Sequence, residues 1–341
     1  SGHLAHYRDG MYPPIQIEGE TNYYLRPMNC PHHHLVYKHK PRSYRDLPLR
    51  LAEFGTCHRN EPSGSLGGLS RVRCFTQNDA HIYCTESQLK KELIDTFNLT
   101  LGYLNMFRFQ SVTIRVSTHD EENTEKFANN PAMWKFSEDL LIEVMQEINH
   151  PYFIGKGEAA FYGPKIDFQA RTLLGKEESI ATTQMDFSQP ITSDLTYIGE
   201  DGKEHRPYIV HRAPLGTHER FVAYLTEHLG GIFPTWLTPT QAVIVPVAPT
   251  FFEYAEKLQA DLQQHLIRSE ADLSNNSFNK KVREAVTAKI PHILIVGGKE
   301  VESESVTWRR YGKTEQTSLP FAQFKSEILK RIQERTMDNF D

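Results

Sequence analysis

The chain has 341 residues, 39% of them apolar and 24% charged, with a formal net charge of −5 and four cysteines. No stretch approaches the roughly 18–20 apolar residues that a membrane helix needs, four thiols in so long a chain do not make a disulfide framework, and the charge balance excludes a globally basic nucleic-acid binder. The composition is that of a soluble protein of one large or two ordinary domains. The reducing cytoplasm is its expected compartment, and any nucleic acid must be held by local basic patches.

The chain opens on Ser1-Gly2-His3, without a methionine and without a charged-then-apolar leader, so it reads as a fragment or a processed chain. Residues 30–35 read CPHHHL, a cysteine and three consecutive histidines that suit a metal site, a catalytic base or an exposed polar run. Residues 57–81, CHRNEPSGSLGGLSRVRCFTQNDAH, carry Arg59, Arg71 and Arg73 around a loop rich in glycine and serine. Guanidinium forks bind phosphate oxygens two at a time, and strand alternation predicts Arg71, Arg73 and Phe75 on one face, where a ring can stack on a base. The bland alternative is a hairpin with solvated arginines. No GxxxxGK[ST] sequence is present, so this is not a P-loop.

Period-two runs at 71–84, 111–118, 159–171 and 179–187, joined by turns and hairpins, predict an antiparallel sheet in an α+β domain. Helices are expected between them near 88–109 and 130–148. HRAPLGTHERF, residues 211–221, sets a glycine turn before a helical pattern with Arg220 in its first turns, a second candidate anion site. GGIFPTWLTPTQ, residues 230–241, reads as a linker. Beyond it AVIVPVAP and HILIVGG read as buried strands, and apolar stripes at Phe251, Tyr254, Leu258, Leu262, Leu266 and at Phe278, Val282, Val286, Ile290 read as helices. This order predicts a compact α/β module with a mostly parallel sheet.

Zinc favours Cys and His ligands, but the chain has no CxxC pair and no HExxH, and 16 histidines supply many false candidates. A histidine in a strand, such as His81, is more often a hydrogen-bonded core residue than a ligand. Spacing alone leaves a Cys30 site open.

Taken together, PMNCP (27–31), the whole of 43–84, YGPKIDF (162–168), QMDF (184–187), HRAPLGTHERF (211–221), FPTWLTPTQ (233–241) and KEVES (299–303) followed by Trp308-Arg309-Arg310 closely resemble the threonyl-tRNA synthetase family of class II aminoacyl-tRNA synthetases. HRNEPSG with RVRCFTQ looks like the class's motif two, and GTHER like motif three. The resemblance covers nearly the whole chain. It implies a class II catalytic domain at 1–238, an antiparallel sheet flanked by helices, followed by a smaller α/β anticodon-binding domain at 239–341. The implied activity is a ligase that activates L-threonine with ATP and magnesium and transfers it to tRNA(Thr), as a homodimer built through the catalytic domain. The family's zinc ligands fall on Cys30, His81 and His211. Arg59 matches the residue that holds the α-phosphate, Arg220 the γ-phosphate, Glu61 the adenine amino group, Phe75 the ring face and Arg71 the phosphates. Met28, Gln77, Asp79, Tyr162, Lys165 and Gln184 match the amino-acid and adenylate pocket; Gln184 also falls among the ATP contacts and Lys165 among the catalytic residues. His3 matches a histidine near the ribose hydroxyl in the transfer step, and Glu300 and Arg309 match readers of anticodon bases.

Three features depart from the family pattern. His32 stands where a glycine is common, Ser179 stands where many relatives have glutamine, and the sequence begins just after the motif-one segment that builds much of the class dimer, with no serine-correcting domain before it. Other readings on the same scaffold are an enzyme that loads a hydroxy amino acid onto another carrier and a non-catalytic binding protein.

Overall fold

The computed structural model describes residues 4, 8–109, 112–123, 125–171, 175 and 177–338. The chain divides into two compact units, residues 1–227 and 228–341. This division falls ahead of the linker-like stretch because that stretch is anchored in the second unit. The Gln241 side-chain amide donates to the Thr235 carbonyl (2.8 Å), and the Thr235 N–H donates to Asp338 (3.0 Å).

The first unit is a seven-stranded sheet. Its strands are β1 (Leu49–His58), β2 (Cys74–Cys84), β3 (Val112–Thr118), β4 (Tyr152–Lys156), β5 (Lys165–Arg171), β6 (Glu177–Asp186) and, beyond a small hairpin of β7 (Tyr197–Ile198) and β8 (Glu204–His205), β9 (Tyr208–Ala213). The order across the sheet is β1-β2-β9-β6-β5-β3-β4. Every pairing is antiparallel except β3 with β4. The exception follows from the connection, since helix α3 (Pro131–Ile148) lies between those two strands and crossover connections make parallel pairs. Helix α1 is Cys30–Lys38, α2 Glu86–Met106, α4 Gln189–Thr192 and α5 His218–His228. Helix α3 starts where Asn130 accepts from the Met133 N–H (3.2 Å) with Pro131 behind it, and stops at Asn149 in the left-handed region.

One face of this sheet is the core. Leu89, Leu93 and Phe97 of α2 and Leu141, Val144 and Met145 of α3 pack on Ile82, Ile114, Ile166, Phe168, Met185 and Val210. Alternation then sends the neighbours of those strand residues, among them His81, Lys165, Gln184 and His211, to the opposite face. The site is built there.

The second unit is a five-stranded sheet of β10 (Ala242–Pro246), β11 (Ser269–Ala271), β12 (His292–Val296), β13 (Ser305–Arg310) and β14 (Gln316–Pro320), with helices α6 (Phe252–Gln264), α7 (Phe278–Thr287), α8 (Gly298–Glu302) and α9 (Phe321–Glu334). Its order is β11-β10-β12-β13-β14. Only the first three strands are parallel; β13 and β14 are antiparallel additions, so the sheet is mixed rather than mostly parallel. Their polar, arginine-bearing sequence hid them, and the short connection at Gly312, in the left-handed region, leaves no room for a crossover helix. The apolar stripe of α6 is also shorter than its spacing predicts. Leu258 and Leu262 are buried, but Leu266 lies past the helix end at positive φ and is 88% exposed.

Candidate functional site

The core of the site is a row across four strands. Register pairs His81 of β2 with His211 of β9, His211 with Gln184 of β6, and Gln184 with Lys165 of β5. Residues directly opposite one another share a face, so four chemically active side chains from distant segments stand side by side. A column meets this row at His81. Phe75, Gln77 and Asp79 precede it at every second position of β2, opposite Cys57, Gly55 and Glu53 of β1.

Cys30, the first residue of α1, caps the corner. The thiol sulfur and one nitrogen from each of His81 and His211 lie within 4.8 Å of one another, and all three residues are buried. Cys30 Sγ is 3.6 Å from His211 Nδ1. Burial pushes the Cys30 thiol well above its ordinary range, and the Asp79 and Asp186 carboxylates push it further. A thiolate there needs a cation beside it, and one sulfur with two imidazoles is the donor set of a three-ligand metal site that keeps a position open. Outer groups orient both rings. His211 Nε2 is 2.8 Å from Asp186, which leaves Nδ1 facing the sulfur, and His81 Nδ1 is 2.7 Å from His33 Nδ1. The three consecutive histidines thus separate. His32 points out to Arg26 (2.7 Å) and stands outside the cluster, His33 meets His81, and His34 meets Tyr83 and Gln189.

Beside this cluster lies a cavity of about 370 Å³ whose lining includes Arg59, Glu61, Arg71, Phe75, Gln77, Lys165, Gln184 and Arg220. The Arg59 guanidinium sits 5.0 Å above the Phe75 ring, and its Nε donates to the Pro27 carbonyl (3.3 Å). Glu61 accepts from Arg71 at 2.8 and 3.2 Å. Arg73 does not share the cavity face predicted for it. Strand β2 begins only at Cys74, and Arg73 turns away to the Glu61 carbonyl (2.9 Å) and Ser63. Arg220, in the first turn of α5, donates to the Ser70 carbonyl (2.8 Å), and Gly216 before it takes the left-handed conformation that the turn requires. Ser179 also lines the cavity and accepts from Gln169 (2.7 Å).

Asp79 is buried with Asn29, whose amide donates to it at 2.9 Å. Burial raises the Asp79 carboxyl, and Asn29 counteracts that rise. Asn29 itself packs against Gly55, where a Cβ would fall 2.3 Å from its side chain. The Tyr162 hydroxyl donates to Gln184, and its ring stacks on His211 at 4.9 Å. Met28 is half-buried in the segment between Pro27 and Asn29. His3 lies outside the described residues.

In the second unit Glu300, on α8, accepts from the Gly297 N–H (2.9 Å) and the Thr307 hydroxyl (2.8 Å). Arg309 follows Thr307 by two residues on β13 and so shares its face, with Nε donating to the Lys313 carbonyl (3.2 Å).

Residues that sequence reasoning missed are the partners of those it found. Asp167 accepts from Lys165 (2.5 Å), Arg115 (3.0 Å) and Ser117 (2.7 Å). Asp186 and Glu53 stand behind the histidines, and Asn29 behind Asp79. Strand alternation could have found Asp167 and Asp186, each two residues beyond a predicted site residue.

Residues 14–229 match the family described as the class II tRNA synthetase core domain (G, H, P, S and T), and residues 241–331 match the anticodon binding domain family. The chain is 47% identical to a threonine–tRNA ligase of Deinococcus deserti over 98% of its own length and 52% of that protein's. It is likewise 47% identical to threonine–tRNA ligase 1 of Bacillus subtilis, over 95% of this chain and 50% of that one. It spans about half the length of these curated relatives. The RNA binding domain of threonyl-tRNA synthetase from Cryptosporidium parvum superposes with a TM-score of 0.90 at 34% identity, over 97% of this chain and 82% of that one. A putative threonyl-tRNA synthetase from Aeropyrum pernix gives 0.79 at 30% identity, over 99% and 81%. With a matched core and an appended anticodon-binding module, the chain belongs to the class II tRNA synthetases, in the threonyl-tRNA synthetase family.

Proposed function

We propose that the chain is the catalytic and anticodon-binding part of a threonine–tRNA ligase, with the catalytic domain in 1–238 and the anticodon-binding domain in 239–341. The observation that carries this reading is the junction, on one sheet face, of a Cys/His/His cluster with an arginine-lined cavity.

Cys30, His81 and His211 would hold a zinc ion. When bound, zinc supplies a Lewis acid whose open positions suit the amino and hydroxyl groups of threonine. Sites built to engage a hydroxyl reject the analogue that lacks it far better than an apolar pocket rejects a missing methyl, so valine is refused and serine is not. Asp79, desolvated and held by Asn29, receives the α-ammonium group. Met28, Gln77, Tyr162 and Gln184 complete the amino-acid pocket. ATP, with its magnesium, lies in the cavity. Phe75 stacks the adenine, Glu61 accepts from its amino group, and Arg59, Arg71 and Arg220 meet the phosphates.

The threonine carboxylate attacks the α-phosphorus, the bond to the β-phosphate oxygen breaks and pyrophosphate leaves. Arg59 and Lys165 balance the charge that builds there, and Asp167 keeps Lys165 aimed. A terminal ribose hydroxyl of tRNA(Thr) then attacks the acyl carbon and AMP leaves, with His3 near the hydroxyl. Glu300 and Arg309 read anticodon bases from the second unit; the anticodon-binding module favours tRNA over another carrier.

Among the described residues no helix is long and apolar enough to cross a membrane. Four free thiols support a cytoplasmic location. The exposed edge strand β1, with Phe54 76% exposed, supports association as a homodimer. The test is amino-acid-dependent exchange of pyrophosphate into ATP. Exchange with threonine, weaker exchange with serine and none with valine is expected. No exchange with any of the three would overturn the activity.

A further inference from the structure

We propose that His33 and Glu53 are positioning residues for the metal site, forming a relay that fixes the ring orientation and tautomer of His81. The inference rests on Cys30, His81 and His211 acting as metal ligands.

The geometry allows one consistent assignment of hydrogens. His33 is three residues beyond Cys30 on α1, so both side chains leave the same side of the helix. Its Nδ1 lies 2.7 Å from His81 Nδ1, too short a distance for two lone pairs to face each other. One of the two nitrogens carries the hydrogen. With His81 giving its Nε2 lone pair to a metal, His81 Nδ1–H is the donor and His33 Nδ1 the acceptor. The remaining hydrogen of His33 is then on Nε2, which lies 3.3 Å from the Glu53 carboxylate. Glu53 in turn accepts from Arg26 at 3.3 and 3.4 Å. Each link dictates the tautomer of the next, and the chain ends on a carboxylate held by a cation.

The second ligand is braced more simply, because His211 Nε2 reaches the Asp186 carboxylate directly at 2.8 Å. The His81 side does with an imidazole and a carboxylate what the His211 side does with a carboxylate alone. Carboxylate-backed histidines are the usual outer support of metal sites, and losing such support typically weakens metal binding about 10–100-fold. Of the three consecutive histidines, therefore, the second acts on the ligand. His32 is exposed and meets the far end of the relay through Arg26.

The test is metal affinity, by chelator competition with zinc, in the full chain and in His33→Ala, Glu53→Gln, His32→Gly and Cys30→Ser. Cobalt substitution adds a spectroscopic reading of ligand geometry that a merely structural role leaves unmoved. His33→Ala is expected to bind zinc roughly 10–100-fold more weakly with a shifted cobalt spectrum, Glu53→Gln to move both in the same direction by less, and His32→Gly to stay within about twofold. Glu53 is partly exposed, so its variant decides the matter if His33→Ala does not fold. Wild-type affinity and spectrum in both relay variants, with metal lost in Cys30→Ser, would overturn the relay and leave the site standing. Unchanged affinity in Cys30→Ser would instead overturn the metal assignment.

Discussion

Lowering the pH should unfasten the second unit through His292, which is fully enclosed on β12. Its hydrogen bonds specify a neutral ring. The Thr235 hydroxyl donates to Asp338 (2.6 Å), so His292 Nε2 must donate to the Thr235 oxygen (2.7 Å), while Trp308 Nε1–H donates to His292 Nδ1 (3.1 Å). A second ring proton on Nδ1 would face the Trp308 N–H. Burial drives the histidine down from 6.5 to about 3, and the nearby Arg331 and Arg310 oppose the proton that Asp338 attracts. A ring that titrates near 6.5 when unfolded and well below that when folded makes the native state weaker as the pH falls below 6.5, by up to about 1.4 kcal/mol per pH unit. The sign is fixed. In that window the unfolded chain binds a proton that the folded one does not, so the stabilisation is complete above pH 6.5 and is lost as the pH falls. Burial raises the Asp338 carboxyl, but the hydrogen bonds from Thr235 and Arg331 together with the neighbouring charge lower it below its ordinary value, so its own contribution is lost only at lower pH. The assay is denaturant unfolding between pH 7.5 and 4.5, with hydrogen exchange of the β12 segment as the local reading. His292→Leu orphans the Trp308 N–H, which costs about 1–3 kcal/mol at neutral pH, but flattens the pH dependence. Equal slopes in the two proteins would refute the reasoning.

Three further outcomes follow from the packing. Gly216→Ala places a Cβ 2.5 Å from the Ile180 carbonyl at a φ of +61° and should cost about 2–4 kcal/mol in thermal or denaturant unfolding, with ATP affinity falling alongside because both residues line the cavity. Arg71→Ala breaks a half-exposed ion pair with Glu61, so it should change stability by less than about 1 kcal/mol yet raise the KM for ATP roughly 10–100-fold in pyrophosphate exchange. Trp134→Ala empties a site that is 1% exposed and removes the hydrogen bond to the Ala128 carbonyl; unfolding should show a loss of about 3–5 kcal/mol.

Much of this was legible in the sequence because strands alternate. The runs at 71–84, 159–171 and 179–187 carry their polar chemistry and their core residues on opposite faces, as β2, β5 and β6 do. The pairing order was not legible. Nothing in the spacing says that β9 lies between β2 and β6, and it is that placement which brings His211 to His81 and Gln184. The family motifs pointed to Cys30, His81 and His211 as a group; local spacing could not, because they come from three segments that only the fold unites. The supporting shell was hidden for another reason. Asn29, Glu53, Asp167 and Asp186 are ordinary polar residues whose importance lies in what they touch. Strands β13 and β14 went unread because their polar composition carries no buried-strand signal, although Val306 at 0% exposure anchors β13 in the core.

On the proposed reading, a metal held by Cys30, His81 and His211 selects the amino acid. The most direct test measures bound zinc and threonine-dependent ATP–pyrophosphate exchange in the same samples of the chain and of Cys30→Ser. Close to stoichiometric zinc, exchange with threonine but not valine, and loss of both in the variant are expected. Full threonine-dependent exchange by zinc-free protein would contradict that reading.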